Sequence, residues 1–335
     1  MVVIESYSVA VIMCIITMLC WGSWANTQKL ASKKWPFQLF YWDYALGVLI
    51  LALVLAFTMG STGSTGRGFL DDLSQAGGKA LAFALLGGVI FNLANILLVA
   101  AIDIAGMAVA FPVGIGIALV EGVVINYIAK PQGDAKFLFA GVAAIMLAIL
   151  IDAIAYKKLP AQGQKTTGKG IVISIAAGVL MGLFYYLVQA SMVANFVEPE
   201  SGKLGPYAAV VIFSVGLFLS CFIWNLWVMA RPFTGEPVPF ADYFRKGDAK
   251  LHLIGILGGA IWSLGMSFNI VASGKAGGAI AYGLGQGATM VAAFWGVFIW
   301  KEFKEAPAGT NKLLTIMFIA YLIGIALIIY ARIIA

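Results

Sequence analysis

Charged side chains are scarce in this chain. They make up 11% of its 335 residues, against 62% apolar, where an average soluble domain carries about 25% charged residues. A water-facing surface cannot be built from so few charges, which excludes a cytosolic enzyme, a nucleic-acid binder and a disordered scaffold. The bilayer is the solvent that fits. Histidine is scarcer still, since His252 is the only one. That argues against a histidine-based zinc site and a Ser-His-Asp triad. Cys14, Cys20 and Cys221 all sit inside apolar runs, where disulfides and thiolate metal sites are not expected. There is no P-loop pattern, and the Gly-x-Gly pairs follow no strand, so neither ATP coupling within the chain nor a dinucleotide cofactor is expected. No metal or cofactor is anticipated. The net charge of +6 is thinly spread, and no basic run is long enough for nucleic acid.

What is present is a series of long apolar runs. Ten of them can each cross about 30 Å of hydrocarbon. The first five are Tyr7–Trp24, Phe37–Met59, Ala80–Ala101, Ala105–Ile128 and Phe137–Tyr156. The second five are Ile171–Val193, Pro206–Met229, Leu251–Ala272, Gly277–Trp300 and Leu313–Ala331. Backbone polar groups in lipid must be satisfied within each segment, so all ten are expected to be helices and the fold an all-α polytopic membrane protein. The first run has no basic flank and carries Glu5 ahead of it, so it reads as a retained span and not a leader. Loops after odd-numbered spans hold 14 Lys and Arg, among them Lys33, Lys157 and Lys165, against 7 on the other side. The positive-inside bias predicts odd loops in the cytoplasm and both termini outside, and the short loops, with no targeting segment expected, suit a cytoplasmic (inner) membrane.

The two halves repeat. Sliding the chain by 171 residues puts Leu86-Gly87-Gly88 on Leu257-Gly258-Gly259, Gly106 on Gly277, and Gly114-x-Gly116 on Gly285-x-Gly287. Residues 86–156 and 257–327 share 20 identities in 71 ungapped positions. Chance would give about a tenth in so simple a composition, so the pattern indicates duplication. The expected units are residues 1–160 and 161–335, five helices each. An odd helix count inverts the second copy in the membrane, the architecture of many secondary transporters. It predicts a midplane cavity between the halves, lined by spans one, three, four, six, eight and nine.

Ionisable groups inside spans are functional candidates by default. Glu121 lies roughly 7 Å from the centre of span four at 1.5 Å per residue, on a seam of small residues. It can cycle a proton, or stay protonated and bonded to a neighbouring helix. Asp43, early in span two, is either a substrate or proton ligand or an interfacial partner of Lys33 or Lys34. Asp152 is expected to snorkel beside Lys157 and Lys158, and Asp103 to cap span four. Neutral polar and aromatic groups are plentiful. Trp21, Tyr44, Asn92, Asn95, Asn126, Tyr185, Gln189, Trp262, Ser263, Asn269, Tyr282, Gln286 and Thr289 are candidate substrate contacts. Amides and hydroxyls beside indole rings suit a small neutral polar solute. Interfacial belts and interhelical bonds are the competing reading. It fits Trp24, Asn26, Gln28 and Trp300 best, and Asn95, Trp262, Tyr282 and Gln286 least. No Lys or Arg stands alone in mid-membrane, which argues against a strongly anionic substrate.

Ten spans in two inverted repeats resemble the drug/metabolite transporter superfamily. Within it, Tyr41-x-Asp43-Tyr44, Phe57-Thr58-x-Gly60, Leu73-Ser74-Gln75, Gly87-Gly88-Val89, Asn95, Gly106, Gly122, Asn126-Tyr127 and Gly141-Val142 resemble the ureide permeases of plants and their bacterial relatives. Trp21-Gly22-Ser23 is similar to the opening of bacterial glucose/ribose porters. The resemblance implies import of a small neutral solute, a ureide, nucleobase or sugar, driven by the proton gradient. It also raises Asp43 as a functional residue. Glu121 falls outside the matching pattern, so its role rests on the residue reading alone. An efflux carrier for drugs, amino acids or other metabolites in the same fold is the alternative. An intramembrane enzyme lacks the convergent acid/base or metal set it would need.

Overall fold

The computed structural model describes residues 1–31, 34–159 and 168–335. Lys33, Lys165 and the expected boundary between the halves at 160–161 lie outside the described residues. Ten helices are long and apolar enough to cross a membrane: Tyr7–Ala31, Phe37–Phe57, Gly78–Ala105, Phe111–Ala129, Ala135–Lys157, Gly168–Ser191, Pro206–Ala230, Ala249–Ala276, Gly278–Ile299 and Thr310–Ile333. They are numbered here as spans one to ten. Among the described residues there is no sheet, only isolated bridges joining Ala76 to Gly202 and Met192 to Leu204. Large apolar side chains such as Leu19, Val54, Leu147, Ile223 and Leu322 point outward, as a lipid-facing surface requires.

Span packing follows one rule. Span three lies on spans six and seven, and span eight lies on spans one and two. Span four packs on six and span nine on one, while the pairs two–seven, four–nine and five–ten meet each other. Exchanging each span with the one five places along returns the same set of pairs, as two inverted copies would. The crossings repeat in atomic detail. A methyl group built on Gly88 would stand 1.9 Å from the carbonyl oxygen of Phe213, and one built on Gly259 would stand 1.9 Å from that of Tyr44. Asn92 donates to Leu217 O across the first crossing, and Ser263 donates to Val48 O across the second. Positions 88 and 259, and 92 and 263, are each 171 apart, the offset of the repeat.

The turns between spans three and four and between eight and nine are also equivalent. Each is a single residue, Gly106 at φ +77° and Gly277 at φ +93°, a conformation that L side chains avoid. Gly106 is itself the N-cap of the helix that follows, whereas Asp103 sits inside the last turn of span three. The expectation that Asp103 caps span four is therefore corrected: the turn is too tight to bring its side chain round.

Three helical irregularities shape the interior. Span one breaks at Trp24 and resumes as Ala25–Ala31, past the expected end. Span four opens with a π-helical turn at Phe111–Ile115, where Pro112 supplies no N–H. Span nine is interrupted at Gln286-Gly287 and ends in a π-helical turn at Trp295–Ile299. Glycines at 283, 285 and 287 make a continuous helix there costly.

The two glycine crossings should be the stability determinants of the fold. Gly88→Ala and Gly259→Ala are each expected to destabilise by about 1–3 kcal/mol through overpacking. Gly78, whose surroundings are open, should tolerate alanine. Thermal unfolding in detergent reads the difference, and equal melting points for all three variants would contradict it.

Candidate functional site

A cavity of about 340 Å³ lies between the halves. Spans one, three, four, six, eight and nine all contribute lining residues, joined by Tyr156 of span five and Glu302 just beyond span nine. Trp21, Phe91, Met181, Phe184, Trp262, Gln286 and Thr289 form its inner part. Asn26, Gln28, Lys29, Trp300 and Glu302 surround its open end, on the side of the odd-numbered loops.

The inner wall is aromatic. Trp21 and Trp262 stack at 5.9 Å with 13° between their planes, and Phe91 closes on Trp262 at 4.4 Å. Trp21 is seated because Gly265 and Gly285 have no side chain where its indole lies. Its Nε1 donates to Trp262 O at 3.3 Å. Two amides interrupt this apolar wall. Asn95 donates to the Tyr41 hydroxyl at 3.2 Å, which uses its nitrogen and leaves its carbonyl oxygen as an acceptor. Gln286 stands at the break in span nine, next to Thr289, whose hydroxyl is turned back to Gln286 O at 2.9 Å. The inner wall carries no charged side chain.

Charge is confined to the mouth. Lys29 pairs with Glu302 at 2.6 Å and stands 4.3 Å from the centroid of the Trp300 ring. Trp300 donates to Asn26 at 2.6 Å, Trp295 donates to Ser23 at 2.9 Å, and Tyr156 donates to Glu302 at 2.9 Å. The end of span one is thereby tied to the end of span nine. Trp24, Asn26, Gln28 and Trp300, which best fitted an interfacial belt, thus line the cavity. A belt and a cavity mouth ask for the same amphipathic side chains at the same helix ends, so sequence alone could not separate them.

Of the sequence candidates, the cavity gathers Trp21, Asn95, Trp262, Gln286 and Thr289. A second group seals the opposite, even-loop side. Tyr185 donates to Asn269 at 2.6 Å, Asn269 donates to Ala281 O at 2.8 Å, and Gln189 donates to Ser273 at 2.9 Å. Tyr282, wholly buried, donates to Ala118 O and Met181 O at 3.2 and 3.1 Å. These bonds tie spans four, six, eight and nine together. Asn126 donates within its own helix to Gly122 O. Asn92 and Ser263 are spent at the span crossings, and Tyr44 packs between Trp24 and Trp262.

Neither Asp43 nor Glu121 lines the cavity. Glu121 packs against Gly182 of span six, where a methyl group would stand 3.0 Å from its Cβ. Asp43 is buried at 1% exposure. The Tyr243 hydroxyl donates to it at 2.5 Å, and Nδ1 of His252 stands 3.0 Å from both carboxylate oxygens. Burial and the bond to Asp43 push the Tyr243 phenol above its usual range, so it stays a donor. His252 was missed as a partner. Span eight packs on span two and brings it opposite Asp43, a contact that the sequence spacing does not give. Asp152 also departs from expectation. It is buried at 6% exposure and does not snorkel. The signal was on the helical wheel, where Asp152 shares the face of Gly141, Ile145 and Ala148, the face that meets span ten.

The sequence model of the ureide permease family matches residues 40–168 and 157–331. Ureide permease 1 of Arabidopsis thaliana is 24% identical, with 98% of both chains covered. Ureide permease 2 of the same plant is 23% identical, also over 98% of both. A solved crystal structure matches the fold with a TM-score of 0.62 at 16% identity, covering 98% of this chain and 99% of that one.

The asymmetry of access is testable with single cysteines in a background lacking Cys14, Cys20 and Cys221. Gln286→Cys and Asn95→Cys should react with a small polar thiol reagent applied from the odd-loop side, and Tyr282→Cys should be protected. Equal labelling of all three would contradict a cavity closed at Tyr282.

Proposed function

This chain belongs to the ureide permease family, and from that premise we propose that it is a secondary carrier for a small, neutral, flat solute of the ureide or nucleobase class. The observation that carries the reading is the inner cavity itself. It offers indole and phenyl faces for a planar ring, with the Asn95 carbonyl and the Gln286 amide at its edge. A ureide presents adjacent N–H and C=O groups, which match an amide's acceptor and donor. An anion would find no cation there, and a purely apolar solute would leave the Asn95 carbonyl and the Gln286 amide unpaired. The sugar reading, suggested by Trp21-Gly22-Ser23, uses the same cavity and differs only in the solute.

Movement is proposed to occur by alternating access. The state described is open on the odd-loop side and sealed by Tyr185, Asn269 and Tyr282 on the other. Closing the mouth around Lys29–Glu302 and releasing that seal would turn the cavity over. With odd loops in the cytoplasm and both termini outside, the open state faces inward. The proposed direction is import coupled to protons, across a cytoplasmic membrane. An efflux carrier in the same fold differs only in direction.

Thermal stabilisation of the purified protein tests the solute class. Allantoin or uracil should raise the melting temperature by mass action, and glucose and ribose should not. Asn95→Ala and Gln286→Ala should each weaken binding about 5- to 150-fold, the loss of one hydrogen bond of about 1–3 kcal/mol. A shift with sugars alone would move the protein to the porter reading. Coupling is tested separately through Asp43→Asn and Glu121→Gln. Uptake identical to the parent's at every imposed proton gradient would remove both carboxyls from that role.

A further inference from the structure

Asp152 is a buried carboxyl that the solute site does not use. Its Oδ1 accepts no hydrogen bond, and the side chain is 6% exposed. Three groups come near it. Tyr156 follows one turn later on the same face and donates to Glu302 Oε2 at 2.9 Å. Glu302 lies within electrostatic reach of Asp152, and its other oxygen is held by Lys29 at 2.6 Å. From span ten, the fully buried Tyr321 brings a hydroxyl that has no hydrogen-bond partner; it lies within electrostatic range of Asp152 and beside Thr289. The adjoining part of span four, residues 107–115, has no ionisable side chain. Lys157 and Lys158 sit at the exposed end of the helix.

These groups outline a run in which Tyr156 and Glu302 are joined by a hydrogen bond while the Asp152 Oδ1 and the Tyr321 hydroxyl have no partner. It begins at Glu302, 30% exposed at the cavity mouth, and passes Tyr156, Asp152 and Tyr321. It ends at Thr289, beside the break in span nine that carries Gln286. A carboxylate oxygen buried without a donor is costly, and a proton on the carboxyl relieves that cost. We infer that Asp152 holds the coupled proton, loading and releasing it through Tyr156 and Glu302 while the mouth is open. Tyr321 and Thr289 connect its protonation to the broken helix that binds the solute. The inference rests on the proposed proton coupling. It adds a carboxyl distinct from Asp43, which is held by Tyr243 and His252, and from Glu121, which packs on Gly182.

Proteoliposomes loaded with the full chain and given radiolabelled allantoin test it. Under an inward proton gradient the parent should accumulate label above equilibration. Asp152→Asn should lose that accumulation at least tenfold, and its solute exchange should no longer vary with pH. Asp152→Glu should restore the gradient response, and Glu302→Gln should slow it. Infrared difference spectra of the protein between high and low pH need no solute: a carboxyl C=O band should be present in the parent and absent in Asp152→Asn. If Asp152→Asn does not fold, Tyr321→Phe keeps the carboxyl and should shift the pH midpoint of that band. Accumulation by Asp152→Asn equal to the parent's, accumulation that follows sodium instead of protons, or a carboxyl band that survives the substitution would overturn the assignment. Failure to transport allantoin alongside loss of the band in Asp152→Asn would count against the solute reading and not against Asp152.

Discussion

The close crossing of span three over span seven, repeated as span eight over span two, is the constraint on which the structure depends. In lipid no hydrophobic force draws one apolar helix to another, so association rests on backbone proximity and on bonds made across it. Gly88 and Gly259 let a carbonyl oxygen come where a side chain would otherwise be. Asn92 and Ser263 then bond across the gap. Those contacts fix which faces of spans three and eight turn inward. Asn95 follows Gly88 by seven residues and Trp262 follows Gly259 by three, so each shares a side of its helix with the crossing glycine, and fixing the crossing fixes where it points.

The two sides of the cavity are held by different chemistry. On the sealed side the ties are neutral: Tyr185 to Asn269, Gln189 to Ser273 and Tyr282 to two backbone carbonyls. Bonds of this kind are modest in strength and can be exchanged for bonds to water or solute. On the open side an ion pair, Lys29 with Glu302, stands within reach of water. Span nine and its end meet both, through Tyr282 at the seal, Gln286 at the proposed solute position and Trp300 at the mouth. A helix broken at Gln286-Gly287 can tilt one half against the other without losing a continuous run of backbone bonds. That makes span nine the element best placed to relate solute binding to access.

Much of this was legible in the sequence. Hydropathy located ten spans because each must satisfy its own backbone in lipid, and the 171-residue offset in glycines carried over to matching crossings and matching one-residue turns. The helix irregularities were not legible. The extension of span one past Trp24 leaves no periodic trace, and Pro112 and the glycines of span nine mark weak points in a helix without saying that a π-helical turn forms there. Side-chain direction was the other gap. Asp152 near two lysines read as an interfacial acid, yet its helix face turns it toward Tyr321. Asn26 and Trp300 read as belt residues, and only the tie between spans one and nine brings them to a cavity. Asp43 was named, but its His252 and Tyr243 partners come from another span and a loop that sequence spacing does not connect to it.

The central claim is that one cavity is exposed alternately to the two sides. Distances between paired spin labels test it most directly, with one pair on the odd-loop ends of spans one and nine and another on the even-loop ends of spans four and six. Solute together with a proton gradient should shorten the first distance and lengthen the second in the same sample. Two distances that stay fixed, or that lengthen together, would contradict the account.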